Sequence, residues 1–219
     1  MPQEDPKPKP TVVFIHGIAA PRFVFLYLQW FMWRRGFRTK LFGYFSVFKT
    51  IPYHADHFVN FLKQLDEDPT VDQFHIVAHS MGGIVTRQAL LKFRPKKLNR
   101  FLMLATPNKG SKAARKLSAG IFRFSKTLKQ ISDAEGSYVN ELELPSGIEI
   151  GAIHAQVDRV VTRESSQPLP STPLVEVYSG HNDLLIRPAT AQAMLQFLNT
   201  GCFAESNSDV TATTAPHRS

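Results

Sequence analysis

The segment Phe74–Leu90, "FHIVAHSMGGIVTRQAL", decides the reading of this chain. It begins as a short apolar run of the kind found in buried strands. From Met81 onward the spacing suits a helix, and Ser80 stands at the junction. The positions two before and two after it, Ala78 and Gly82, are both small. A small–x–Ser–x–Gly run between strand and helix forces a sharp, strained turn, because those two positions pass close to each other and to a neighbouring strand. Gly83 then lets the helix pack tightly on the sheet. Such a turn lifts the serine hydroxyl out of the sheet at a helix N-terminus, where backbone N–H groups favour developing negative charge. The competing reading of Ser80 is an ordinary helix N-cap after a buried strand. A serine nucleophile needs a base and an oxyanion site, so the surrounding residues decide between the two.

Working outward, short β-branched runs alternate with longer segments of helical spacing. "TVVFIHG", "RTKLFGYF", "QFHIVAHS", "LNRFLMLAT", "EIGAIHAQ" and "PLVEVYSG" read as strands. "RFVFLYLQWFMWRRG" reads as a buried or interfacial helix stopped by Gly36. "IPYHADHFVNFLKQLDED" and "MGGIVTRQALLKF" are further helices, and "PATAQAMLQFLN" closes the chain with Gly201 as its C-cap. Strands that are continuous apolar runs, alternating with helices, predict an α/β fold: a mostly parallel sheet of about six strands covered on both faces. Residues 111–148 break this rhythm. They are longer than one crossover helix needs and are expected to form a small insertion, cap- or lid-like, at the rim over the site. The expected organisation is a polar lead-in at 1–10, one domain at 11–201 and a disordered tail at 202–219.

In open parallel sheets, ligands bind outside the carboxyl ends of the strands, and Ser80 is at such an end. The loop "FIHGIAA" follows the first strand. Gly17 allows a sharp turn there, and the N–H of Ile18 could point beside Ser80, with the N–H of Met81 as a second donor. His16 and His79 flank the two glycine turns and read as loop-orienting residues. Among the eight histidines, His181 follows a strand and Gly180 directly, on a polar loop, and is the candidate base. Asp158, two residues past the preceding strand and followed by Val160 and Val161, is the candidate acid, with Glu164 as the best substitute. The chain order Ser, Asp, His is a workable one. His54, Asp56 and His57 hint at a metal, but no further ligand set supports one.

The 219 residues carry a formal net charge of +8 and a single cysteine, Cys202, which excludes an intramolecular disulfide. The cations are scattered, without the interleaved aromatics of a nucleic-acid motif, so no nucleic-acid partner is expected. They read either as solvated surface charge or as a patch that meets anionic lipid. "GIFRFSKTLKQI", with Ile121, Phe122, Phe124, Leu128 and Ile131 among Arg and Lys, suits a lipid interface or a cap helix packed on the domain. "FVFLYLQWFMW" is about half the length of a membrane span, and "MPQEDPKPKP" lacks the apolar core of a secretion signal, so the default expectation is a cytoplasmic protein.

Taken in order, "VVFIHGI", "IVAHSMGGIVTRQAL", "LMLATPNKGS", "AQVDRVV" and "YSGHNDLL" resemble the blocks of the α/β-hydrolase superfamily, and within it the lipase group. Alanine rather than glycine in "AHSMG" is similar to small bacterial lipases and esterases of the Bacillus type. The resemblance covers about residues 11–200. It implies Ser80 as nucleophile, Asp158 as acid, His181 as base, Ile18 and Met81 as oxyanion donors, and a supporting turn at His16, Gly17 and Gly82. It implies hydrolysis of carboxylic esters, with lipid esters among the substrates, and no metal or organic cofactor. A thioesterase or lipid-anchor deacylase on the same scaffold, or a non-catalytic binding protein, are the alternatives.

Overall fold

The computed structural model describes residues 9–46, 49–120 and 122–204. The expected lead-in and tail lie outside these residues except for 9–10 and 202–204, as does Ile121. Six strands form one sheet: β1 (Thr11–Ile15), β2 (Arg38–Phe42), β3 (Phe74–His79), β4 (Leu98–Leu104), β5 (Glu149–Ala155) and β6 (Leu174–Val177). Their order is β2-β1-β3-β4-β5-β6, and every neighbouring pair is parallel. The expected α/β sheet is therefore present, and it is parallel throughout.

Both faces of the sheet are covered, which is why the strands read as unbroken apolar runs. Val13, Ile15, Ile76, Ala78, Phe101 and Met103 point to one side, where α2 (Ile51–Glu67) and α3 (Met81–Lys92) pack. Their neighbours Val12, Phe14, Val77, Leu102 and Leu104 point to the other, under α1 (Leu26–Trp33) and α8 (Pro188–Thr200), while α7 (Arg163–Ser166) is a single turn between β5 and β6. Thr50 caps α2 by accepting from the Tyr53 N–H, with Pro52 in the first turn. Gly201 ends α8 in the left-handed conformation expected of it.

The first predicted helix begins as a 3-10 turn, Arg22–Phe25, before α1. Phe25, Leu28 and Met32 are fully buried, while Phe23, Leu26, Trp30 and Trp33 are all more than half exposed. Only one face of this segment belongs to the core. Between β4 and β5 the chain forms three short helices: α4 (Lys112–Ala119), α5 (Lys126–Gln130) and α6 (Tyr138–Glu141). Ala114, Leu128, Ile131 and Val139 from this segment join the core layer beside α2 and α3. The stretch "GIFRFSKTLKQI" is thus not one helix. Gly120 ends α4, Ser125 caps α5, and Phe122 and Phe124 lie exposed on the turn between them.

The sheet register brings the carboxyl ends of its strands together. Ile15 pairs with Ala78, His79 with Leu104, Leu104 with Ile153, and Ala155 with Val177. The loops that leave these ends share one rim. The order reverses at β1 and β3, since the chain goes out to β2 and returns to β3 on the other side, and Ser80 follows β3 at this switch point.

Candidate active site

Ser80 occupies the N-cap position of α3, yet its side chain caps nothing. Its backbone sits at φ 54°, ψ −127°, outside the regions an L-residue ordinarily adopts. The strain is held by its neighbours: the Ser80 N–H donates to Leu104 O at 2.9 Å, and Gly83 N–H donates to Ser80 O at 3.0 Å. A Cβ on Gly82 would stand 2.6 Å from Ile15 O and 2.7 Å from His16 O, so the close passage expected at this position is real. The result is a hydroxyl held up beside the amino end of a helix.

That hydroxyl meets a histidine. Ser80 Oγ lies 3.0 Å from His181 Nε2, and His181 Nδ1 lies 2.7 Å from Asp158 Oδ2. The other Asp158 oxygen accepts from the N–H groups of Val160 at 2.7 Å and Val161 at 3.0 Å. The Asp158 side chain is fully buried and that of His181 is 12% exposed. Burial pushes the Asp158 carboxyl upward. The hydrogen bond and charge of His181, with the N–H groups of Val161 and Val160, outweigh this, and its pKa lies below the ordinary value. Ionised Asp158 selects the tautomer in which His181 Nδ1 carries the proton and Nε2 is free to accept one. Glu164, the substitute acid, is instead exposed and pairs with Lys109 at 3.5 Å.

The loop after β1 packs on the serine. A Cβ on Gly17 would come 2.8 Å from Ser80 Cβ and 3.3 Å from Ser80 Oγ, so only glycine fits. His16 Nδ1 donates to Gly17 O at 2.8 Å, and Tyr44 stacks on the His16 ring with centroids 4.6 Å apart. Because C=O and N–H point in opposite directions across a trans peptide, holding the Gly17 carbonyl to one side turns the Ile18 N–H to the other. Tyr44 also donates its hydroxyl to His16 O at 2.8 Å, and the next residue, Ala19, donates its N–H to Ser46 Oγ at 2.9 Å. Met81 opens α3, so its N–H is one of those without an acceptor inside the helix. Tyr44 and Ser46 were not singled out from sequence. The signal for them is the position of "GYFS" directly after β2, beside β1.

His79 does more than border the turn. Its Nε2 donates to His181 O at 3.1 Å, and the two rings lie 4.8 Å apart. Burial and the neighbouring His181 hold its pKa down to about 3, so it is a neutral positioning group. His54 and His57 lie on α2, where the His54 ring packs against Tyr44 and Tyr53. Burial lowers the His54 pKa to about 4.

A cavity of about 240 Å³ opens beside Ser80. Gly17, Ile18, His79 and His181 form its floor, and Ala114, Leu117, Leu128, Ile131 and Val160 give apolar walls. Most of the wall comes from the segment between β4 and β5. Arg87 anchors that segment from α3. It is buried, donates to Asn108 O and Asn108 Oδ1 at 3.3 Å each, and reaches the carbonyls of Leu142 and Glu143.

A six-stranded parallel sheet with this rim is the architecture of an α/β hydrolase. A family model described as the alpha/beta hydrolase fold matches residues 10–140, and the chain belongs to that family. Among solved structures, the mature form of a lipase from Bacillus licheniformis is similar over 92% of this chain and 95% of its own, at 13% identity and a TM-score of 0.68. A carboxylesterase structure from the thaumarchaeon Nitrososphaera gargenis is similar over 88% and 91%, at 18% identity and a TM-score of 0.59. A metagenomic carboxyl esterase is similar over 82% of this chain and 67% of its own, at 15% identity and a TM-score of 0.65. At these identities the likeness is one of fold. No curated protein matches the chain.

Proposed function

We propose that this hydrolase cleaves carboxylic esters through an acyl-enzyme on Ser80. The observation that carries the reading is the continuous relay Asp158–His181–Ser80, with contacts of 2.7 Å and 3.0 Å, ending in a strained serine that lines an apolar cavity. Lipase and carboxylesterase structures among the fold's neighbours support it. His181 Nε2 takes the Ser80 proton as Oγ attacks the ester carbonyl. The N–H groups of Ile18 and Met81 receive the oxyanion, an interaction worth about 3–4 kcal/mol per donor in the transition state. His181 then protonates the departing alcohol, and water, activated in the same way, releases the acid. Asp158 keeps the imidazole oriented and stabilises its protonated form. Residues 11–201 form the catalytic unit, and 111–148 form its cap.

The apolar walls favour an uncharged acyl chain. At about 30 Å³ for each water-sized group, the cavity of about 240 Å³ takes about eight heavy atoms. Turnover of p-nitrophenyl esters is therefore expected to rise up to medium chain lengths and then level off. Ser80→Ala is expected to abolish turnover with the fold intact, and a fluorophosphonate is expected to label Ser80. Equal rates in wild type and Ser80→Ala would sink the proposal.

A further inference from the structure

From Gln73 to Ser132 the chain contains no aspartate or glutamate. Between Lys109 and Lys129 it contains seven cations. Two of them have partners: Lys109 pairs with Glu164, and Arg115 with Asp133 at 2.9 Å. Lys112, Lys116, Arg123, Lys126 and Lys129 are exposed and take part in no ion pair among the described residues. An unneutralised cluster of this kind, on a chain of net charge +8, repels a second copy and attracts an anionic surface.

The same segment exposes aromatic side chains. Phe122 is 50% exposed and Phe124 is 81% exposed, with the Arg123 guanidinium 4.8 Å from the Phe124 ring centroid. Phe122 stands next to the cavity wall, because its N–H donates to the carbonyl of Leu117, which lines the cavity and is itself exposed, and Phe124 lies two residues further along the same turn. On two other loops of the site, exposed Phe23 and Ile186 lie on 3-10 turns that follow the cavity residues Ala20 and Asn182. Apolar tips among unpaired cations match an anionic lipid surface, where rings enter the interface and cations meet headgroups. Nucleic acid fits less well, since the rings do not form a platform along a groove.

We propose that the turn Phe122–Phe124 and the free cations around it dock the cavity side of the molecule onto anionic bilayers. The contact is peripheral, since no helix among the described residues is long and apolar enough to cross a membrane. It does not depend on the ester-hydrolase reading, and it places the cavity mouth where acyl chains are found.

The test is co-sedimentation of the full chain with vesicles of phosphatidylcholine, alone or mixed with phosphatidylglycerol. Binding is expected only to the mixed vesicles and is expected to weaken in high salt. Each cation near such a surface contributes about fivefold to the partition. Lys116→Gln/Arg123→Gln/Lys126→Gln should therefore weaken it about 100-fold, and Phe122→Ser/Phe124→Ser about an order of magnitude. Hydrolysis of a soluble short-chain ester is expected to be unchanged in both variants. Ser80→Ala should bind vesicles like wild type, so loss of the catalytic reading would leave docking standing. Wild-type binding that ignores phosphatidylglycerol, no vesicle binding, full binding by the triple variant, or binding to DNA in place of vesicles overturns the proposal.

Discussion

Asp158→Asn is the sharpest probe of the relay. The amide has the size of the carboxylate, and its oxygen can still accept from Val160 and Val161. The oxygen 2.7 Å from His181 Nδ1 becomes an NH₂ group, which cannot accept the imidazole proton. His181 must then place its proton on Nε2, facing Ser80 Oγ at 3.0 Å, and loses the lone pair that makes it a base. Asp158 has no exposed side-chain surface, so water cannot restore the tautomer. By the precedent of other serine triads the expected loss in kcat is about 10⁴-fold, or about 5 kcal/mol. The assay is kcat for a p-nitrophenyl ester near neutral pH, with circular dichroism to show the fold. Ser80→Ala/Asp158→Asn should be no slower than Ser80→Ala alone, because the residues act as a unit. The variant also bears on acid stability. The folded Asp158 pKa lies below its unfolded value, so wild type has this stabilisation above the unfolded pKa and loses it as pH falls through the folded pKa. Asp158→Asn should lack that component. A loss in kcat below tenfold with the fold intact would refute the relay.

Three further outcomes are expected. Gly17→Ala puts a methyl 2.8 Å from Ser80 Cβ, which displaces Ser80 or the Ile18 loop and should lower kcat about 100-fold; a wild-type rate would show that the loop is not part of the site. His54, His75 and His79 have pKa values held by burial at about 4, 4 and 3. The unfolded state takes up protons first, so stability is full above about pH 6.5 and falls below it by up to about 1.4 kcal/mol per histidine per pH unit; identical urea midpoints at pH 7 and pH 5 would contradict this. Arg87→Leu leaves the carbonyls of Asn108 and Leu142 without their buried donor. It should cost about 3 kcal/mol and expose residues 111–141 to limited proteolysis, and an unchanged cleavage pattern would argue against the anchoring role.

The strands were legible because a sheet covered on both faces needs side chains such as Val12 and Val13, or Val77 and Ala78, to be apolar in turn on each side. The meeting of Ser80, Asp158 and His181 was legible because each follows the carboxyl end of a strand, and the parallel register brings those ends to one rim. Contacts across that rim were not. The bond from His79, at the end of β3, to the His181 carbonyl links positions 102 residues apart, and nothing local to either marks it. Buried Arg87 looks like any solvated helix cation until the segment it holds is folded over it. The segment Phe23–Trp33 is apolar or aromatic at every position but Gln29, so its pattern does not tell that Phe25 and Leu28 turn inward while Phe23 and Trp30 face out.

Backbone strain shows how the fold serves the site. Among the described residues, the non-glycine positions with positive φ are Ala19, Ser80 and Ala105, all beyond the ends of the adjacent strands β1, β3 and β4. Each donates its N–H at 2.9 Å to a fixed acceptor: Ser46 Oγ, Leu104 O and Ile153 O respectively. Such conformations cost about 1–3 kcal/mol each and persist only where their surroundings over-determine them. At Ser80 the strain can be separated from the chemistry. Ser80→Ala and Ser80→Gly both remove the hydroxyl and its contact with His181, but only glycine removes the Cβ that makes φ 54° costly. Glycine also raises the entropy of the unfolded chain, an opposing effect of about 0.5–1 kcal/mol. If the turn is strained for the sake of the hydroxyl, Ser80→Gly should still be the more stable of the two by about 1 kcal/mol in urea unfolding, with both inactive. A glycine variant no more stable than the alanine one would mean that the turn carries no strain to relieve, and Ser80 would owe its position to packing alone.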